Sequence, residues 1–142
     1  MTAKLDEIQA RRAQRKAQAR LLIEEQRAAD YEAVDALECE HGDHNVTVVE
    51  VEHPLPGLPT LFALRCPRPS EVKRWQSRMK KGKNGSEPDG IAAAEEIATP
   101  CILYPDKDVA EEIFRARYAL KLQLGQAALK IHDANIEAQG KD

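Results

Sequence analysis

The residues whose types could do chemistry sit in a few short stretches. Cys39-Glu40-His41-Gly42-Asp43-His44, with His53 further on, gathers sulfur, imidazole and carboxylate groups of the kind that ligate zinc. Zinc sites use short repeated ligand spacings, typically with a Cys-x-x-Cys pair, and no such pair occurs here. A helix ending in polar turn residues accounts for the same letters. Gly42 offers a left-handed position, and Asp43 and Asn45 suit a turn. Glu95-Glu96 and Glu111-Glu112 offer adjacent carboxylates, the raw material of acid–base catalysis. Consecutive residues on a helix do not face each other, so both pairs read as solvent charges. Asp106 and Asp108 stand beside a proline at a helix start, where capping suffices to explain them. There is no glycine-rich phosphate loop, no His-Glu-x-x-His helix and no Gly-x-Ser-x-Gly elbow. The expectation is a protein without catalytic, cofactor-binding or metal-binding residues.

The three cysteines, Cys39, Cys66 and Cys101, cannot all pair with one another. The first apolar residues are scattered among Lys4, Asp6, Glu7, Arg11 and Arg12, so no secretion signal is expected, and free thiols in a reducing cytosol follow. Cys66 and Cys101 lie in apolar runs and read as small buried hydrophobes. No apolar run approaches the length of a membrane span. A net charge of -3 argues against nucleic-acid binding by the chain as a whole. With 32% charged and only 4% aromatic residues, the core is modest and some segments are too polar to bury.

The elements that would position these residues follow from pattern. Residues 3 to about 37 contain neither Gly nor Pro and are rich in Ala, Arg, Gln, Glu and Lys, which predicts one long helix. That helix is split by charge: Lys4 to Arg20 is basic, while Glu24 to Asp43 is acidic apart from Arg27. Its apolar content is thin, so a protruding, solvated helix is expected, with a coiled-coil or partner-docking role as the sharper reading. Val46 to Glu52 alternates and is β-branched, a strand; Thr60 to Cys66 pairs back on it across the proline-rich connector His53 to Pro59. Pro67 ends that strand, and Ser70 is expected to cap a helix carrying Val72, Trp75 and Met79. Lys80 to Gly90 reads as an exposed loop. It closes a positive stretch, Arg65 to Lys83, with eight basic residues and one acid, Glu71.

Ile91 to Ala98 predicts a short helix with Asp89 as its cap, stopped by Pro100. Cys101-Ile102-Leu103-Tyr104 is either a third strand beside the hairpin or a buried extended link. Asp106 or Asp108 then starts a helix with Val109, Ile113 and Phe114 on its apolar face. A last helix follows from Tyr118 to Ile131, lined by Leu120, Leu124, Ala127, Ala128 and Ile131, where Gly125 admits a close neighbour. The expected fold is α+β and mostly helical: a protruding charged helix over 1–40, a compact domain over 45–135 built from a small β-hairpin on about four short helices, and a flexible tail over 136–142, with the polar stretch from His132 onward expected to fray.

The order of these elements carries a resemblance. A strand ends in Arg65-Cys66-Pro67-Arg68-Pro69-Ser70-Glu71 and leads into Val72-Lys73-Arg74-Trp75. An Ala-rich helix ends Ile97-Ala98-Thr99-Pro100 and is followed by Cys101-Ile102-Leu103-Tyr104-Pro105-Asp106. Tyr118 and the Leu122-Gln123-Leu124-Gly125-Gln126-Ala127-Ala128-Leu129 helix close the pattern. Over residues 46 to 131 the chain resembles the tail assembly chaperones of long-tailed bacteriophages. The resemblance implies a non-enzymatic protein of the host cytoplasm that binds the helical tape-measure protein before the tail tube polymerises around it. The surface expected to do so lies between the Trp75 helix and the final helix, with Trp75, Met79, Phe114, Tyr118 and Leu122 as candidates. Membership of the core is the competing explanation for all five. Two other readings stand beside it. One is a small virion or tail structural protein that self-associates through its N-terminal helix. The other is a nucleic-acid-binding regulator using Arg11 to Arg20 and Arg65 to Lys83.

Overall fold

The computed structural model describes residues 2–80 and 90–140. Of the loop expected over Lys80 to Gly90, Lys80 ends one helix and Gly90 begins the next; the stretch between them, the Asp89 cap and the last two residues of the tail lie outside the described residues. Helix α1 (Thr2–His41) is 40 residues long, about 60 Å at the α-helical rise. It ends at Gly42, whose φ of 89° and ψ of 140° only glycine adopts without strain. The Asn45 side chain donates to the His41 carbonyl at 3.0 Å and satisfies one of the helix's last acceptors. The polar letters around Gly42 thus make a helix end followed by a 3-10 turn over Asp43–Asn45.

Strands β1 (Val46–Glu50), β2 (Leu61–Arg65) and β3 (Ile102–Tyr104) form one antiparallel sheet in the order β1-β2-β3. The hairpin register pairs Val46 with Arg65, Val48 with Ala63 and Glu50 with Leu61. The Cys101 stretch therefore supplies a third strand, with a register irregularity opposite Ala63 and Leu64. β2 is central, and Leu61, Phe62, Ala63 and Leu64 are fully buried. Their alternation feeds two cores, because successive side chains leave a strand on opposite faces. Leu61 and Ala63 join Val46 and Val34 beneath α1. Phe62 and Leu64 join Ala98, Ile113, Leu124 and Ala128 on the other face. The result is α1, then the sheet, then a helical layer.

That helical layer comprises α3 (Gly90–Ala98), α4 (Lys107–Ala116) and α5 (Leu120–Gly140), while α2 (Pro69–Lys80) packs against α3. The start of α2 differs from the sequence expectation. Pro69 takes the first helical position, where its missing N–H costs nothing, so Ser70 lies inside the helix and Arg68 is the cap residue. Glu71 does the capping, accepting the Arg68 N–H at 2.8 Å. Its two carboxylate oxygens also take a bidentate pair from Arg65 at 2.9 and 3.0 Å, tying the end of β2 to α2. That contact holds the Glu71 carboxyl below its ordinary range and the Arg65 guanidinium above its own. Asp106 occupies the cap position of α4 without a side-chain capping bond. Helix α5 begins at Leu120 and runs on to Gly140, past His132, where the sequence suggests a fraying tail. It is held there by packing on β1 and by Asn135, which donates to the His44 carbonyl at 3.1 Å.

Three contacts fix the layers. Gly125 of α5 faces Ala94 of α3 so closely that a Cβ at Gly125 would sit 2.5 Å from the Ala94 Cβ and 2.8 Å from its Cα. Glu95 and Glu96 are not idle solvent charges. Glu95 accepts from Lys121 on α5 at 3.1 Å, and Glu96 from Arg78 on α2 at 2.7 Å. Neighbouring residues diverge on a helix, and here that divergence lets one Glu reach each flanking helix. On the opposite face, Asp30 of α1 is fully buried. It accepts the Thr60 N–H at 2.7 Å, the Thr60 hydroxyl at 2.6 Å, the Gln26 amide at 2.9 Å and the Tyr104 hydroxyl. Among the described residues no buried side-chain polar atom lacks a partner.

Two outcomes follow. Gly125→Ala drives a methyl into the α3 backbone and is expected to cost about 1–3 kcal/mol, read as a lowered urea midpoint; an unchanged midpoint would show that the helices separate freely. The Tyr104 hydroxyl is pushed up to about 12 from its ordinary 10.0, first by burial and then by its bond to Asp30. A pKa raised on folding stabilises fully below the unfolded value and is lost as pH climbs through the folded one. Stability is therefore expected to fall between pH 10.0 and about 12, and Tyr104→Phe to flatten that limb when urea unfolding is followed across it.

Candidate functional site

A cleft of about 570 Å³ opens on the helical side. Ile102 of β3, buried Pro105 and Ala110 and Phe114 of α4 give it an apolar floor. Phe114 is fixed from below by stacking on Phe62, with ring centroids 5.3 Å apart. Glu95 and Thr99, at the end of α3, form one wall. The turn between α4 and α5 brings Tyr118 to the mouth, where it is 57% exposed. Lys107, Glu111 and Arg115 make a charged rim on exposed positions of α4.

Lys121 organises this cleft. Its ammonium lies 4.9 Å from the Tyr118 ring centroid and 5.5 Å from that of Phe114. It also donates to Glu95, and its side chain is only 16% exposed. The four-carbon stem is thereby packed away while the charge meets two π faces and a carboxylate. The arrangement sets the Lys121 charge against the exposed Tyr118 ring.

The five residues expected to share one surface do not all meet. Phe114 and Tyr118 line the cleft together. Leu122 is exposed on α5, outside the cleft lining. Trp75 and Met79 are half-buried on α2. The space expected between α2 and the final helix is taken by α3, which packs against both and is the principal contact of each. The small side chains Ala92, Ala93 and Ala94, with Gly125 opposite, are what let α3 fit there.

The remaining chemistry-bearing residues stay apart. Among the described residues no group of three His, Cys, Asp or Glu is placed to hold a metal ion. The three cysteines are free thiols: Cys39 exposed, Cys66 half-buried and Cys101 buried. Burial pushes the Cys101 thiol up to about 11, and it donates to the Ile97 carbonyl. That leaves it a small hydrophobe rather than a nucleophile. The Asp30 cluster brings a carboxylate, a phenol and a hydroxyl together, but every group in it is spent on another and none faces the cleft. No helix among the described residues is long and apolar enough to cross a membrane.

Sequence reasoning missed Asp30, Lys121 and the Arg65–Glu71 pair. Asp30 carried a signal: it falls on the stripe Ile23, Gln26, Val34 and Leu37, the side of α1 that turns out to be buried or half-buried. Lys121 carried none, because its partners come from α3, α4 and the turn before its own helix.

Compared with protein-family models, with curated proteins and with solved structures, the chain matches none.

Proposed function

We propose that the chain is a non-enzymatic binding module of the tail assembly chaperone type, and that the Phe114–Tyr118 cleft receives an apolar side-chain ridge on a helical segment of a tape-measure protein. The observation that carries this reading is Tyr118. An aromatic ring more than half exposed, clamped by a largely buried lysine above an apolar floor, is the composition of a recognition anchor rather than of a core. The strand and proline of the motif Cys101-Ile102-Leu103-Tyr104-Pro105 line this cleft through Ile102 and Pro105, so the sequence pattern behind the resemblance and the concavity fall on one surface. An unassembled tape measure exposes apolar helix faces, and a groove with an apolar floor and a charged rim suits a helix laid across it. The work belongs to the host cytoplasm, before the tail tube closes.

Co-expression with a candidate tape-measure protein, followed by size-exclusion chromatography with light scattering, tests the proposal. Co-elution is expected, with the partner insoluble on its own. Tyr118→Ala is expected to weaken the complex by about tenfold or more, while Trp75→Ala, on α2, leaves affinity unchanged. Wild-type affinity in the Tyr118 variant would remove the cleft as the site.

A further inference from the structure

The first part of α1 is free of its own chain. Residues 2–18 are exposed on every side, whereas the second part is docked through Ile23, Gln26, Asp30, Val34 and Leu37. The docked stripe fixes the rotation of the helix about its axis, so the direction of each side chain on the free arm follows at about 100° per residue. Projected that way, the basic residues between positions 4 and 20 all fall on one half of the circumference. It is the half on which the docked stripe lies, with Arg12 near its centre, Arg15 and Lys16 to either side of it and Arg11 at its edge. Leu5 and Ile8 share this face and are 54% and 38% exposed. Asp6 and Glu7 lie on the other half.

The docked part of α1 shows the reverse. Its outward face, opposite the sheet, carries Glu24, Glu25, Glu32 and Asp35, all exposed, with Leu21 and Ala28 between them. Leu21 is 60% exposed. None of these four acids, and none of the arm's basic residues, has an ion-pair partner among the described residues. One helix therefore presents a basic face with two apolar residues at one end and an acidic face with one large apolar residue at the other, on opposite sides. The basic face spans about 24 Å and the acidic one, counted from Leu21, about 21 Å.

We propose that the occupant of the basic arm is the acidic outer face of α1 in a second copy of this chain. Charge complementarity selects that partner, and Leu5 and Ile8 meet Leu21 and Ala28 in the contact. Because the two faces point in opposite directions, one contact leaves a basic arm free at one end of the pair and an acidic face free at the other. The association is heterologous and adds copies head to tail instead of closing as a two-fold dimer. This goes beyond the tape-measure reading and does not depend on it, since it uses neither the cleft nor Tyr118.

Sedimentation and light scattering of the full chain test the proposal with two sets of neutralising substitutions. One set changes Arg11, Arg12, Arg15 and Lys16 to Gln. The other changes Glu24, Glu25 and Glu32 to Gln and Asp35 to Asn. Circular dichroism checks that the helix persists in both. At low salt the wild-type mean mass is expected to rise with concentration past that of a dimer, and raising the salt to physiological strength or above to weaken association by about tenfold. Each variant alone is expected to remain a monomer, and the two mixed to give a 1:1 dimer and nothing larger. A wild-type monomer at every concentration overturns the proposal. So does a mass that saturates at dimer and is not rebuilt by mixing the variants, which is the signature of a two-fold pair. Monomers that instead bind a DNA duplex with steep salt dependence would give the arm to nucleic acid and equally overturn it. Capture of the tape-measure protein is expected to be the same in both variants, so failure here and failure of the cleft reading are separate results.

Discussion

A buried carboxylate fixes where the long helix sits on the rest of the molecule. Burying an ionised Asp without compensation costs several kcal/mol, which native structures tolerate only when the charge is fully hydrogen-bonded. Asp30 meets that condition with donors from three places: Gln26 one turn earlier, the Thr60 backbone and hydroxyl just before β2, and the Tyr104 hydroxyl at the end of β3. Those groups can converge only if α1 crosses the sheet at one rotation and one height. The apolar contact around it, Val34 and Leu37 on Val46, Leu61 and Ala63, is small and would tolerate sliding. The carboxylate supplies the specificity that the small core lacks. The direction in which the free arm presents its basic face is a consequence of this one docking.

The other side of the sheet is built on a different constraint, the close approach of α3 and α5 at Ala94 and Gly125. Drawing those helices together puts α3 against α2 as well and fills the space expected between α2 and the final helix. It also brings Lys121 within reach of Glu95, with its charge against Tyr118 at the mouth of the cleft. The two proposed surfaces thus have separate origins, one set by a buried charge and one by a missing side chain.

Much of the fold was legible in the sequence because its signals are local. Absence of Gly and Pro gave the long helix, β-branched alternation gave the first strand, and proline placement gave most boundaries. Gly125 was readable as a close approach because only a neighbouring backbone explains a glycine on that face. The failures are non-local. Ser70 lost the cap to Pro69 and Glu71 because Glu71 is held by an arginine from the preceding strand. The final helix outran its expected end because the turn after α1 reaches it through a backbone carbonyl. Of the five candidate contact residues, the two brought together in the cleft, Phe114 and Tyr118, are close in sequence. Whether Trp75 joined them depended on where α3 lodged, which spacing alone does not encode.

The most direct measurement of the docking is hydrogen exchange across α1 in Asp30→Ala, compared with wild type at neutral pH. Removing the carboxylate leaves the Thr60 N–H and two hydroxyls without their acceptor and is expected to cost about 3–5 kcal/mol. Amides of residues 23–41 should exchange far faster while those of β2, α3 and α5 keep most of their protection, because α1 peels from a sheet whose other face remains packed. Unchanged exchange over 23–41 would contradict this, and would mean that the small apolar contact alone positions the helix.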